Sequence, residues 1–251
     1  MPVSLETQIP TETDSATGLP VGPQMANLEP ARQPVREALE GHYCRLEPID
    51  PEKHCDDLFA ASTPEDAVAR FLYLFEYPPT SREQLFDWLT QVSALADPLF
   101  YAVVDKHTGR VEGRQALMRI SHEHQVIEIG NIYWGPAIAG TRVATEANFL
   151  FARQCFDVWG YRRYEWKCNA LNAPSRRAAK RFGFQFEGLF RRAIIAKGRT
   201  RDTSWYSIID EDWPALRAAY EQWLEPTNFD SDGVQKSRLS ELTSAIVTRQ
   251  K

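Results

Sequence analysis

Three stretches of this chain carry residues whose types and spacing could do chemistry. The first is the turn Gly135-Pro136-Ala137-Ile138-Ala139-Gly140-Thr141-Arg142-Val143-Ala144, which runs into Thr145-Glu146-Ala147. Its small residues let an anion such as a phosphate approach the backbone. A helix beginning there adds unpaired N–H groups and the positive end of its dipole. Arg142 could add a charge-assisted contact to the same anion. On these residues alone an ordinary strand-to-helix loop reads equally well. The second stretch is Asn172-Ala173-Pro174-Ser175, in which Asn172 has the chemistry and position of a helix N-cap. The third centres on Glu128, set between Ile127 and Ile129 in an alternating segment, so that its side chain faces away from theirs.

Other groups invite less. His122-Glu123-His124 has the look of a metal clip but sits in a turn with no third ligand nearby, so no metal is expected. Arg191, Arg192, Lys197, Arg199 and Arg201 form a basic run on a hairpin, expected as a solvated face rather than an RNA contact. Glu165 and Glu187 could make an acidic rim, though no spacing singles them out. Trp134, Trp166 and Trp205 are expected in the core.

The elements that must position these residues follow from pattern. Residues 1–40 are polar, rich in proline and free of aromatics, and are expected to be a disordered leader, with an extended arm lying on the domain left open for its end. His42 to Pro48 alternates as a first strand, and Asp50-Pro51 opens a helix. Asp66 to Tyr77 is aromatic-rich. Ser81 and Gln84 stand like a capping box before the stripe Leu85, Trp88, Leu89, Val92. Leu99–Val104, Val111–Ile120 and the segment from Val126 read as three antiparallel strands. A long helix after Thr145, a strand from Arg163 to Cys168, the Asn172-capped helix and two more strands follow. Asp212-Trp213-Pro214 caps a helix through Trp223. Residues 225–251 form a polar tail, in which Val234, Leu239, Leu242 and Ile246 suggest a helix. One domain over 41–224 is expected. It is a mixed α/β domain with a mostly antiparallel sheet of about six to seven strands flanked by helices, including a parallel pair around the long helix.

Composition narrows the classes. A net charge of −5 and a pI near 5.6 argue against nucleic-acid binding driven by overall charge. The four cysteines, Cys44, Cys55, Cys155 and Cys168, form no CxxC and no metal spacing, which favours reduced thiols in a cytoplasmic setting. No apolar run is long enough to span a membrane, and no signal-peptide pattern opens the sequence.

In order along the chain stand Glu128-Ile129-Gly130, Ala144-Thr145-Glu146-Ala147, Asn172-x-x-Ser175, Arg181-Phe182-Gly183-Phe184 and Glu187-Gly188. Together they resemble the GNAT acetyltransferase superfamily, and within it the RimJ/RimL-type branch. The region from Gly41 to Trp223 fits that family's order of elements. The resemblance implies a splayed gap between the strand ending Tyr133-Trp134 and the strand Arg163 to Cys168. It implies acetyl-CoA as co-substrate, no metal, and direct transfer of acetyl to a primary amine. The branch suggests a protein N-terminus as acceptor, and a small amine fits the sequence as well. A homodimer is left open.

The resemblance also assigns residues. The family's pyrophosphate loop has Arg or Gln, two spacers, Gly, one spacer, then Gly or Ala. Here those places hold Ala139, Arg142 and Ala144, so only the last keeps the pattern, with Gly140 as the flexible point. Ala139, Gly140, Thr141, Arg142, Val143 and Ala144 become the implied phosphate contacts. The backbone at Tyr133 and Trp134 would pair with the pantetheine arm, with Asn172 as a further partner and an N–H nearby as oxyanion donor. Glu128 takes the base role. Ala179 occupies the place where many members carry a proton-donating Tyr, which leaves Ser175 as the substitute. These departures also permit a non-catalytic acyl-CoA-binding module.

Overall fold

The computed structural model describes residues 10–249. The chain divides into two units, Met1–Pro30 and Ala31–Lys251. In the first, β1 (Glu12–Thr13) and β2 (Pro20–Val21) pair antiparallel around a turn. Asp14 Oδ1 closes that turn by accepting from Thr17 N at 2.8 Å and Thr17 Oγ1 at 2.7 Å.

The far end of the expected leader is an extended arm. Residues 1–9 lie outside the described residues, but Ala31 to Glu40 belongs to the second unit. Ala31 N donates to His122 O at 3.0 Å and Arg32 N to Trp159 O at 2.8 Å. Ala31, Pro34 and Leu39 are buried, and β3 (Leu39–Glu40) joins the main sheet. A segment without aromatics cannot nucleate a core, yet it can lie on one built by other elements for a few hydrogen bonds and small apolar contacts.

The main sheet has eight strands in the order β3-β4-β5-β6-β7-β8-β10-β9. They are β3, β4 (Cys44–Pro48), β5 (Leu99–Asp105), β6 (Val111–Ser121), β7 (Val126–Trp134), β8 (Arg163–Asn169), β9 (Gln185–Ala196) and β10 (Arg199–Ile209). The short β3 is the strand that patterning missed. Every neighbouring pair is antiparallel except β7 and β8, which α4 (Arg142–Arg153) connects.

Alternation on the strands builds two cores. Tyr101, Val103, Ile127, Ile129, Tyr164 and Trp166 face one way, packed with Phe149 of α4 and Tyr220 of α6 (Trp213–Leu224). Phe100, Ala102 and Val104 face the other way, under Leu58 of α1 (Pro51–Ser62) and Leu89 of α3 (Arg82–Ser93). The apolar packing of that second helical cover reaches as far as β6, and past it α1 touches β7 at Tyr133, near the strand's far end. Beyond that packing, the same face of β7 and β8 carries Glu128, Glu165 and Lys167.

Caps start the helices where their chemistry predicts. Asp50 accepts from Glu52 N at 3.0 Å, Ser81 Oγ from Gln84 N at 3.2 Å, and Asn172 Oδ1 from Ser175 N at 3.1 Å to open α5 (Ala173–Arg181). Gln84 Oε1 takes the N–H of Thr80 rather than that of Ser81, so the box is displaced by one residue.

The tail is part of the domain. In α7 (Leu239–Arg249), Leu239 and Thr243 are buried, and Thr243 Oγ1 donates to Arg181 O at 3.0 Å. Leu242 and Ile246 pack on the first core, whereas Val234 lies exposed outside the helix.

Candidate active site

The site begins with one extra residue. Ala116 pairs with Gly130 and Arg114 with Tyr133, so Asn131 and Ile132 of β7 oppose Gln115 alone. Asn131 takes a left-handed backbone, φ 49. This is a β-bulge, and a bulged strand bends away from its neighbour. Pairing of β7 with β8 accordingly stops at Ile129 and Trp166, although the strands run on to Trp134 and Asn169. Arg114 secures the bulge by donating from Nη1 to Asn131 O at 2.6 Å.

The two strands part around a cavity of about 960 Å³ that is lined from both faces of the sheet. On the α4 face its wall includes Ala139, Gly140, Ala144 and Thr145, and from α5 Ser175, Ala178 and Arg181. Thr141 caps α4 by accepting Val143 N at 3.2 Å, which leaves other first-turn N–H groups directed along the helix axis. Gly140 has φ 80, and a Cβ there would meet open space. Arg181 Nη1 donates to Thr145 Oγ1 at 2.9 Å, and burial lowers the Arg181 pKa.

Arg142, expected at the anion, points elsewhere. Its guanidinium lies 4.4 Å from the Tyr43 ring centroid and 5.2 Å from that of Phe229. At the first helical position the side chain leans back over the preceding turn, and here that direction leads to two aromatic rings. Arg181 and Arg177 are the cations that line this side. Arg181 stood in a quoted motif, and its place on the last turn of α5 was legible, but nothing in spacing set it against α4.

Tyr133 and Trp134 line the cavity from β7, beyond the last β8 pairing. The Tyr133 hydroxyl is turned away and donates to Ala61 O at 2.6 Å; burial pushes its pKa up to about 12. Asn172 and Ser175 face the cavity across from them. Ser175 Oγ accepts from Trp166 Nε1 at 3.0 Å, and it also lies against the Cys168 thiol, which burial raises and Ser175 lowers. Val143 is buried in the core, and neither it nor Thr141 lines the cavity.

On the other face stands an ion network. Glu128 is 3% exposed, and its Oε2 meets Arg119 Nη1 at 2.7 Å and Lys167 Nζ at 2.9 Å. Lys167 Nζ also meets Glu165 Oε2 at 2.6 Å and sits 3.9 Å from the Trp205 ring centroid. Arg163 holds Glu165 through Nε and Glu187 through Nη1, both at 2.7 Å. Burial pushes the Glu187 carboxyl up; Arg163 and Ser207 more than offset it and leave it below the usual range. Glu165 and Glu187 are thus neutralised by protein cations and form no rim for an amine.

Trp166 belongs to the first core and Trp134 packs against it, yet both, with Trp205, also line the cavity, because the wall of a ligand cavity is itself apolar. Arg201 leaves the basic run and turns inward, 7% exposed. Asp66, Arg70, Tyr73 and Phe75, around and beyond α2 (Ala67–Phe71), complete this side, and no motif pointed to them. His122 Nδ1 lies 3.1 Å from the Tyr161 hydroxyl, and among the described residues no group of three or more His, Cys, Asp or Glu could hold a metal.

A bulge-splayed parallel pair with a helix N-terminus on one side defines the class of protein, and comparisons agree. The model of the acetyltransferase (GNAT) domain matches residues 44–185, and the chain belongs to this family. It is similar to a GCN5-related N-acetyltransferase from Brucella melitensis at 56% identity and TM-score 0.86, over 88% of this chain and all of the other. A probable GNAT-family acetyltransferase from Chromobacterium violaceum is 35% identical with TM-score 0.73, covering 78% of this chain and 98% of its own. An acetyl transferase from Salmonella typhimurium that modifies the N-terminal serine of a ribosomal protein shares the fold alone, at 19% identity and TM-score 0.61, over 69% of this chain and 99% of its own. Among curated proteins no significant match is found. The chain is an acetyltransferase. No described helix is long and apolar enough to cross a membrane.

Proposed function

We propose that the chain moves an acetyl group from acetyl-CoA to a primary amine by direct attack, within the RimJ/RimL-type branch. The observation that carries this is the cavity through the splayed β7–β8 gap, open to both faces of the sheet. The α4 face suits a phosphate-bearing thioester. It offers helix N–H groups beside Gly140 and Ala144, the cations Arg181 and Arg177, and the unpaired edge of β7 at Tyr133 and Trp134 for an extended arm. The polar face then receives the amine.

In the transfer, the amine nitrogen attacks the thioester carbonyl carbon. A C–N bond forms, the C–S bond breaks, and the thiolate leaves with the electron pair and takes up a proton. Glu128 accepts the amine's proton on Oε1, directly or through water, while Arg119 and Lys167 hold Oε2. An N–H of the free β7 edge steadies the carbonyl oxygen. The Ser175 hydroxyl, fixed by Trp166, supplies the proton to sulfur.

Calorimetry with acetyl-CoA and a thiol-release assay over a panel of small amines and peptide N-termini test this reading. Binding and amine-dependent thiol release are expected. Release no faster than thioester hydrolysis with every amine would refute the amine acceptor, and absence of binding would refute acetyl-CoA as the donor.

A further inference from the structure

Strand β10 presents Arg201, Thr203 and Trp205 at alternate positions, and all three line the cavity. Each has a polar atom sealed from solvent without a partner: Arg201 Nε, Thr203 Oγ1 and Trp205 Nε1. Arg201 is 7% and Thr203 2% exposed. Buried polar atoms are almost always paired, and three orphans along one strand face are far outside the usual pattern. All three can donate.

The charges around them are otherwise accounted for. Arg119 and Lys167 engage Glu128, Lys167 also engages Glu165, and Arg70 meets Asp66 at 2.7 Å. Among the described residues, Arg201 has no carboxylate partner. Phe75 lies under its guanidinium at 4.8 Å from the ring centroid, which gives a cation–π neighbour but no acceptor. Trp205 pairs with Lys167, whose Nζ lies over its ring and holds Glu128, so the group that these donors await would sit beside the amine.

Building on the acetyl transfer proposed above, we infer that the acceptor is a small amine bearing a carboxylate, of amino-acid type, and that Arg201, Thr203 and Trp205 bind that carboxylate. Arg177 and Arg181 serve the α4 face, so on this face one unpaired cation among the described residues matches a single negative charge, and a planar guanidinium matches a planar carboxylate in a two-point contact. The Thr203 hydroxyl and Trp205 N–H supply the remaining donors. These residues set specificity and take no part in the proton transfers.

The test measures products, so it does not depend on turnover. The full chain with CoA bound is titrated with the N-acetyl forms of the common amino acids and with their matched C-terminal amides. At least one acid should bind about tenfold or more tightly than its amide, because the amide leaves the cation unpaired. Arg201→Gln should abolish that preference and Thr203→Val should reduce it, with acetyl-CoA affinity unchanged in both. Thr203→Val removes an orphan hydroxyl and keeps the shape, so it should melt no lower than the parent, an outcome that a purely structural role would not give. Should Arg201→Gln fail to fold, Thr203→Val decides alone. Equal binding of acids and amides, a preference that survives both substitutions, tighter binding of aminophosphonate analogues, or tighter binding of acetylated peptide amides would each overturn the inference. Failure of acetyl-CoA binding would instead sink the transfer reaction and leave the acid-over-amide preference to be read by itself.

Discussion

Glu146 offers the sharpest quantitative test of how the site is held. It lies on the buried side of α4, one residue after Thr145 of the cavity wall, and is 4% exposed. Its carboxylate accepts three backbone N–H groups, from His42 to Oε1 and from Tyr43 and Cys44 to Oε2, each at 2.7 Å. One side chain thus ties the entry of β4 to the first turns of α4. Glu146→Ala orphans all three donors. Each buried N–H left unpaired costs about 1–3 kcal/mol, and water entering the cavity will recover part, so a loss of about 3–5 kcal/mol is expected. For a domain of this size that lowers Tm by about 8–15 °C. Glu146→Gln keeps one acceptor oxygen for Tyr43 and Cys44 but sets an NH2 against His42 N, and should cost about 1–3 kcal/mol. Gly41→Ala should resemble it, because a Cβ there would stand 2.4 Å from Glu146 Oε2 and 2.9 Å from Cys44 O. Urea denaturation of the three variants gives the order, and calorimetry with acetyl-CoA reports whether the α4 N-terminus has shifted. If Glu146→Ala unfolds within about 1 kcal/mol of the parent, the argument that these bonds anchor the turn is wrong.

Other expectations follow from single contacts. Arg181→Met should weaken acetyl-CoA binding about tenfold by removing a cation beside the α4 N-terminus, whereas Arg142→Ala should leave affinity within about twofold and cost about 0.5–1 kcal/mol of stability through lost stacking on Tyr43; calorimetry and melting separate the two. Burial opposes the ionised form of Glu47, but Lys53, His54 and Arg45 hold its pKa at about 2, against an ordinary 4.5. Its contribution is therefore complete above pH 4.5 and is lost as pH falls toward 2, about 3 kcal/mol in all. Urea midpoints across that window should fall less steeply in Glu47→Gln, and an unchanged slope would remove Glu47 as the cause.

Most of the frame was legible because local rules and global fold agree. Alternation marked the longer strands, Asp50, Ser81 and Asn172 marked helix starts, and the order of motifs pointed to the parallel pair. The misses share a physical origin: a pattern in one element says which residues share a face, but not what that face meets. Arg142 stands on the right turn, yet its direction depends on Tyr43 and Phe229, which come from distant parts of the chain. Residues 31–40 could be read at most as an arm lying on the domain because their own apolar content is small, and they are ordered by a surface they do not build.

Arg201 is the instructive case. In sequence it belongs to a run of exposed cations, and Arg199, two residues earlier and in the same phase of β10, is indeed exposed. Phase alone therefore could not separate them. What does is position along β10. Thr203 lies opposite Asn169 and Trp205 opposite Lys167, so Arg201 falls just beyond the end of β8, where the residues following α2 close over the sheet. The same limit governs Glu128. Alternation sets it opposite Ile127 and Ile129, but whether that opposite face is solvent or site depends on where the cover from α1 and α3 ends. Beside Glu128 its apolar packing ends at β6, one strand short, although farther along β7 it meets Tyr133, and the polar network on β7, β8 and β10 lies beyond that edge. A polar side chain on a strand next to the last covered one is therefore a better candidate for chemistry than its local pattern alone suggests, because a helical layer that stops early leaves a sheet face with a wall on one side and room for a ligand.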